Sequence, residues 1–168
     1  MKKNLVLTGM MASGKSTVGK SLSKLLGMQF VDTDDVVEKR LSLSIAKIFK
    51  TKGESFFREI EEEESIKLVK KEGLIIALGG GAFMNNIIRE NIKKSSLSVW
   101  LDLGIDKIFE RTRMNKKRPL LHDSSKKDLK KLYEERKKIY SLADFRIDCN
   151  SKEKNKIVEE IKKLYESI

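Results

Sequence analysis

The chain has 168 residues, 39% of them hydrophobic, and 36 Lys and Arg against 25 Asp and Glu give a formal net charge of +11. That length suits one domain with a real core, and the moderate apolar content with scattered aromatics excludes a disordered composition. No apolar run reaches the ~18 residues of a membrane helix, and one cysteine, Cys149, excludes an internal disulfide or a cysteine-based metal cluster.

Met1-Lys2-Lys3 leads directly into a short apolar run, residues 5–8, with no signal-peptide core or cleavage site. A cytoplasmic protein is therefore expected. The run is followed by Gly9-Met10-Met11-Ala12-Ser13-Gly14-Lys15-Ser16-Thr17, a full G-x-x-x-x-G-K-[ST] phosphate loop. Gly9 and Gly14 permit a tight turn, so successive N–H groups face one phosphate. The helix expected from Lys15 adds its positive end. Lys15 reaches the β- and γ-phosphates, and the Ser16 hydroxyl binds Mg²⁺. The ligand class is a nucleoside triphosphate with Mg²⁺; a chance Gly/Ser turn is the alternative. Ala12 occupies a position that many such loops give to glycine.

Further strands are expected at residues 29–32, 74–78, 97–101 and 145–148, with helical patterns between them. Strands alternating with helices imply a parallel sheet covered on both faces, an α/β fold. The second strand runs into Val31-Asp32-Thr33-Asp34-Asp35, at the sheet edge where ligands bind. Asp32 is read as a Mg²⁺ holder, directly or through water, and Asp34 as the acceptor or orienter of a hydroxyl. Helix capping by Asp34 or Asp35 is the alternative. Thr51-Lys52-Gly53-Glu54 reads as a capping box opening the helix that carries Phe56, Phe57 and Arg58. Phe49 and Phe57 suit either core packing or an apolar wall beside a substrate. Arg58 either serves a ligand or pairs with Glu61 and Glu62 on its own helix.

The third strand ends in Leu78-Gly79-Gly80-Gly81. Three glycines fit a place where a ligand nears the backbone or a turn needs positive φ. Residues 114–127 are polar, hold the one proline, and are read as the least ordered stretch, a lid of about residues 112–126. Arg118 sits there, placed to act as an arginine finger in cis. His122, the one histidine, reads as solvated. Leu129, Tyr133, Arg136 and Tyr140 share one helix face. A guanidinium in that stripe needs an anionic partner, either a substrate carboxylate held in bidentate geometry or an internal carboxylate. Cys149 reads as core. Ile157, Ile161, Leu164 and Ile168 mark the apolar stripe of a last helix.

In order, residues 9–17, Asp32-Thr33-Asp34, Phe57-Arg58 with Glu61, Leu78-Gly79-Gly80-Gly81, Arg111-Thr112, Arg118-Pro119-Leu120-Leu121, and Arg136 with Tyr140 together resemble the shikimate kinase family. The resemblance implies one domain over residues 1–168. Its fold would be a three-layer α/β/α, P-loop, nucleoside-monophosphate-kinase-like arrangement of five parallel strands with a mobile lid. It implies transfer of the ATP γ-phosphate to the 3-hydroxyl of shikimate, with Mg²⁺, in aromatic amino-acid biosynthesis. Lys15, Asp34 and Arg118 would be catalytic. Asp34, Arg58, Gly79, Gly80, Gly81 and Arg136 would bind substrate. Gly9, Ala12, Ser13, Gly14, Lys15, Ser16, Thr17, Arg111 and Arg118 would bind nucleotide, with Arg111 on adenine, and Ser16 and Asp32 would serve the metal. After the last strand, Cys149-Asn150-Ser151-Lys152 lacks the proline sought in an adenine-contacting loop.

Another small-molecule P-loop kinase, such as a gluconate kinase, is the nearest alternative, since gluconate also carries a carboxylate and hydroxyls. The +11 charge motivates a second, an ATP-dependent nucleic-acid regulator. Against it, the lysines are spread over several helices, an acidic run covers Glu59 and residues 61–64, and no basic stretch is interleaved with aromatics. No nucleic-acid or membrane partner is expected, and a monomer is.

Overall fold

The computed structural model describes residues 3–114 and 125–168. Five strands, β1 (Asn4–Thr8), β2 (Gln29–Asp32), β3 (Leu74–Ala77), β4 (Ser96–Asp102) and β5 (Phe145–Asp148), form one parallel sheet in the order β2-β3-β1-β4-β5. The described helices are α1 (Lys15–Leu26), α2 (Thr33–Leu41), α3 (Ile45–Lys52), α4 (Glu54–Val69), α5 (Asn86–Ser95), α6 (Ile105–Met114), α7 (Lys126–Tyr140) and α8 (Lys154–Glu166). They cover both faces of the sheet, as the alternation of strands and helices requires. Central position accounts for composition. Every residue of β1, β3 and β4 is buried, the polar ones included, whereas edge strand β5 alternates.

Parallel register brings the carboxyl ends to one edge. Asp32 pairs with Ala77, Thr8 with Trp100 and Asp102 with Asp148. The first loop leaves β1 between neighbours β3 and β4, the switch point where open α/β sheets bind ligands. A second apolar cluster, Val37, Ile48, Phe57 and Ile60, ties α2, α3 and α4 together away from the main core. Each such side chain contributes about 1.5–3 kcal/mol on burial. Among the described residues, no helix is long and apolar enough to cross a membrane.

Three local expectations need correction. Thr51 does not open α4: it lies inside α3, where its Oγ1 donates to the Lys47 carbonyl at 2.7 Å. Gly53, at φ 85°, joins the two helices with no side-chain cap. The cap of α2 is Asp32 rather than Asp34 or Asp35; it accepts the Asp34 N–H at 3.0 Å. Ile168 lies beyond α8 and is exposed, while Val158 is buried beside Ile157 and Ile161. At the edges of the expected lid, residues 112–114 belong to α6, and Ser125 caps α7 with a reciprocal Ser125–Asp128 capping box. Arg118 and His122 lie outside the described residues.

Candidate active site

The loop after β1 has the backbone its glycines foretell. Gly9 and Gly14 adopt φ of 139° and 99°. A Cβ at Gly9 would lie 2.7 Å from the Leu101 carbonyl oxygen, so the position is closed to other residues on two counts. Ala12 takes φ 61°, the left-handed region, at a cost of about 1–2 kcal/mol that glycine would avoid. Gly14 caps α1, whose first turn carries no acidic residue, so its unpaired N–H groups and positive end meet an anion unopposed. Ser13 is buried; its N–H donates to the Met10 carbonyl at 3.2 Å. Its Oγ has no hydrogen-bond partner among the described residues. Lys15 is buried, with Nζ donating to the carbonyls of Gly9 and Met10, both at 2.9 Å.

These residues wall a cavity of about 340 Å³. Ala12, Gly14, Lys15, Ser16 and Thr17 line one side; Asp32, Asp34, Gly80 and Arg111 complete it. The Ser16 hydroxyl donates to Asp32 Oδ2 at 2.6 Å. A hydroxyl and a carboxylate side by side at a phosphate loop are the hard oxygen donors that Mg²⁺ takes when phosphates and water supply its other ligands. The described residues hold no cluster of three or more His, Cys, Asp or Glu side chains suited to a metal, so no all-protein cage competes with that arrangement. Arg111 Nη1 donates to the Ala12 carbonyl at 3.1 Å, which ties its guanidinium to the phosphate loop.

Of the two causes expected for the triple glycine, the positive-φ turn does not apply. None of Gly79, Gly80 and Gly81 has positive φ. Charged side chains press closely on all three. A Cβ at Gly79 would meet Asp34 Oδ1 at 2.6 Å and Glu61 Oε1 at 2.7 Å. One at Gly81 would meet the Arg58 guanidinium at 2.5 Å, and one at Gly80 would touch Arg136 Nη1 at 3.5 Å. The Gly79 N–H donates to Thr33 Oγ1 at 2.8 Å, binding the segment to the start of α2. Two carboxylates and two guanidiniums thus gather around one glycine strip at the cavity's edge.

Within that group, Arg58 Nη1 pairs with Glu61 Oε2 at 2.7 Å and Nη2 with Glu54 Oε1 at 3.2 Å. Its own-helix partners are therefore Glu61 and Glu54; Glu62 bonds Asn85 instead. Arg136 has no ion-pair partner among the described residues, and its Nη1 donates to the Gly80 carbonyl at 3.1 Å. Tyr140 Oη donates to the same carbonyl at 2.5 Å. Burial pushes the Tyr140 phenol up to about 12, so it remains a donor at every working pH. Leu129, Tyr133 and Tyr140 are buried on the face that carries Arg136, as the helical spacing foretold. Phe57 is buried and half-buried Phe49 packs against it, ring centroids 4.8 Å apart. Burial likewise raises the Cys149 thiol to about 12, as befits a core cysteine.

A family model for shikimate kinase matches residues 11–166. The chain belongs to the shikimate kinase family. A relative named shikimate kinase from Sulfurihydrogenibium sp. (strain YO3AOP1) is 43% identical over 150 residues, covering 89% of this chain and 90% of its own. The shikimate kinase of Acinetobacter baumannii, solved in complex with shikimate, superposes with a TM-score of 0.93 at 32% identity, over 99% of this chain and 94% of that one. A gluconokinase from Sinorhizobium meliloti 1021 aligns over 98% of this chain and 94% of its own, with a TM-score of 0.60 at 15% identity, and shares the fold alone. The shikimate kinase family is thus reached independently by motif, by sequence likeness and by fold.

Glu61, legible in the sequence as part of the family match and as an ion-pair partner of Arg58, is 2% exposed, a burial the acidic run around it did not announce. Burial raises its carboxyl pKa more than the Arg58 charge lowers it, with Asp34 adding to the rise and Arg136 opposing it. The folded protein then holds the Glu61 proton to higher pH than the unfolded chain does. Stability from this group is full below the ordinary carboxyl pKa and is lost as pH climbs through the folded value. Urea unfolding from about pH 4 to pH 7 should show wild type losing stability relative to Glu61→Gln as pH rises. A gap moving in the opposite direction would mean that the Arg58 pair outweighs burial.

Proposed function

We propose that this chain transfers the γ-phosphoryl group of ATP to the 3-hydroxyl of shikimate, giving shikimate 3-phosphate and ADP, a step toward aromatic amino acids. One observation carries this reading. Asp34 and Gly80 line the cavity together with the phosphate loop, and Arg58, Glu61 and Arg136 press on the adjoining Gly79–Gly81 strip, so a place for an anionic polyol lies beside the place for a triphosphate. Arg58 and Arg136 flank the Gly79–Gly81 strip and are suited to a carboxylate; Asp34 lines the cavity and is suited to ring hydroxyls.

Phosphoryl transfer passes through a loose transition state, so placement and charge do most of the work. Lys15, already held by two loop carbonyls, faces the transferring group, and the α1 N-terminus cradles the phosphates. Ser16 and Asp32 would hold Mg²⁺, which when bound neutralises phosphate charge. Asp34 accepts a hydrogen bond from the attacking hydroxyl and aims its oxygen. Arg111 borders the nucleotide. The arginine-finger role for Arg118 rests on its sequence match. The reading includes a cytoplasmic monomer with no nucleic-acid or membrane partner.

The test is ADP release from Mg-ATP in a coupled assay, with shikimate, gluconate and AMP offered separately. Turnover is expected with shikimate alone. Turnover with gluconate or AMP would preserve the phosphate-loop reading and overturn the carboxylate site. Silence with all three, from folded protein, would overturn the kinase assignment.

A further inference from the structure

Asp102 ends β4 and is 3% exposed, outside the groups that face the cavity. Its two oxygens are divided between two elements. Oδ2 accepts from Arg146 Nε at 2.9 Å and Nη2 at 2.7 Å, on β5. Oδ1 accepts from the Tyr133 hydroxyl at 3.1 Å, on α7. A buried carboxylate is costly unless paired; here two guanidinium N–H groups converge on one oxygen and a hydroxyl satisfies the other, so the carboxylate is held from both sides. The Arg146 guanidinium lies 5.3 Å from the Trp100 ring, and Trp100 stacks on Tyr140 at 6.1 Å. Tyr140 and Arg136 converge on the Gly80 carbonyl.

Helix α7 is therefore pinned at two points seven residues apart, Tyr133 on Asp102 and Tyr140 on Gly80, or about 10 Å along its axis. Arg136 lies between them. One pin leaves a helix free to roll about its contact; two fix its rotation. A roll of roughly 10° would carry a guanidinium about 1 Å, enough to cost up to ~100-fold where a reactant must be placed.

We propose that Asp102 and Tyr133 are positioning residues, which lock the rotation of α7 and thereby aim Arg136 at the substrate carboxylate. This rests on the shikimate reading for its catalytic consequence, though the anchor itself does not. Neither residue touches the reacting atoms; both act through Arg136.

The test uses Tyr133→Phe, which keeps the ring and removes the one hydroxyl, in wild-type and Arg136→Ala backgrounds. In wild type, kcat/KM for shikimate should fall about fivefold through KM, the scale of one ordinary hydrogen bond lost at a distance from the substrate, with ATP KM changed by less than about twofold. In the Arg136→Ala background the effect should vanish, because nothing remains to aim. Amide hydrogen exchange over α7 should quicken in Tyr133→Phe while α8 is unchanged. Asp102→Asn, which also loosens Arg146, should repeat the pattern more strongly if it folds. Equal losses in both backgrounds, or unchanged shikimate KM with lowered Tm, would overturn the positioning role. If wild type does not use shikimate, the exchange arm still decides the anchor: unchanged α7 exchange in Tyr133→Phe overturns it.

Discussion

Lys15→Ala is expected to lower kcat by about 10³ while the protein stays folded. Lys15 is buried at the loop, and its ammonium is held by the Gly9 and Met10 carbonyls. A held charge needs no reorganisation when negative charge spreads over the transferring phosphoryl oxygens, so its contribution is concentrated in the transition state. Removing it leaves two loop carbonyls without that donor, but Lys15 itself lines the cavity, so water can enter the space it vacates. The stability cost should stay near 1 kcal/mol. Steady-state kinetics against Mg-ATP, read with a thermal melt, separates the contributions. A loss confined to ATP KM would make Lys15 a ground-state phosphate holder, and kcat within tenfold of wild type would remove it from the catalytic group.

Much of this site was legible because its chemistry is local. The phosphate loop depends on glycine spacing and one lysine, and β2 and β5 fall where short β-rich runs end in aspartate. Strand ends elsewhere moved by one residue, as with β4, which begins at Ser96 and continues to Asp102. The two residues that extend that strand, Ser96 and Asp102, are polar yet buried, which apolar patterning does not register. The misread capping box has the same origin. As a cap the Thr51 hydroxyl would accept a backbone N–H of α4; instead it donates to the Lys47 carbonyl, because α3 runs to Lys52. The glycine strip shows the limit most clearly. Its spacing announced close approach, but only tertiary packing reveals that Asp34, Glu61, Arg58 and Arg136 make that approach. Asp102 gave no sequence signal, since its partners lie 31 and 44 residues away.

Arg136→Ala is expected to raise shikimate KM about 100-fold and leave ATP KM nearly unchanged. A charge-assisted, forked contact to a carboxylate is worth about 2–3 kcal/mol when lost, which corresponds to that factor. The geometry separates this loss from a folding defect. Arg136 donates to the Gly80 carbonyl, but Tyr140 donates to the same oxygen, so truncating the arginine leaves no buried acceptor unsatisfied. The change in Tm should accordingly be small. Arg136→Lys restores the charge without the fork and should recover only part of the affinity. Arg58 cannot compensate, because Glu61 and Glu54 already engage it. If shikimate KM stayed at the wild-type value and Tm fell instead, the Gly80 bond would be the residue's whole purpose, and the carboxylate would have to be held elsewhere. With KM raised and Tm unchanged, Arg136 is the substrate's anionic anchor.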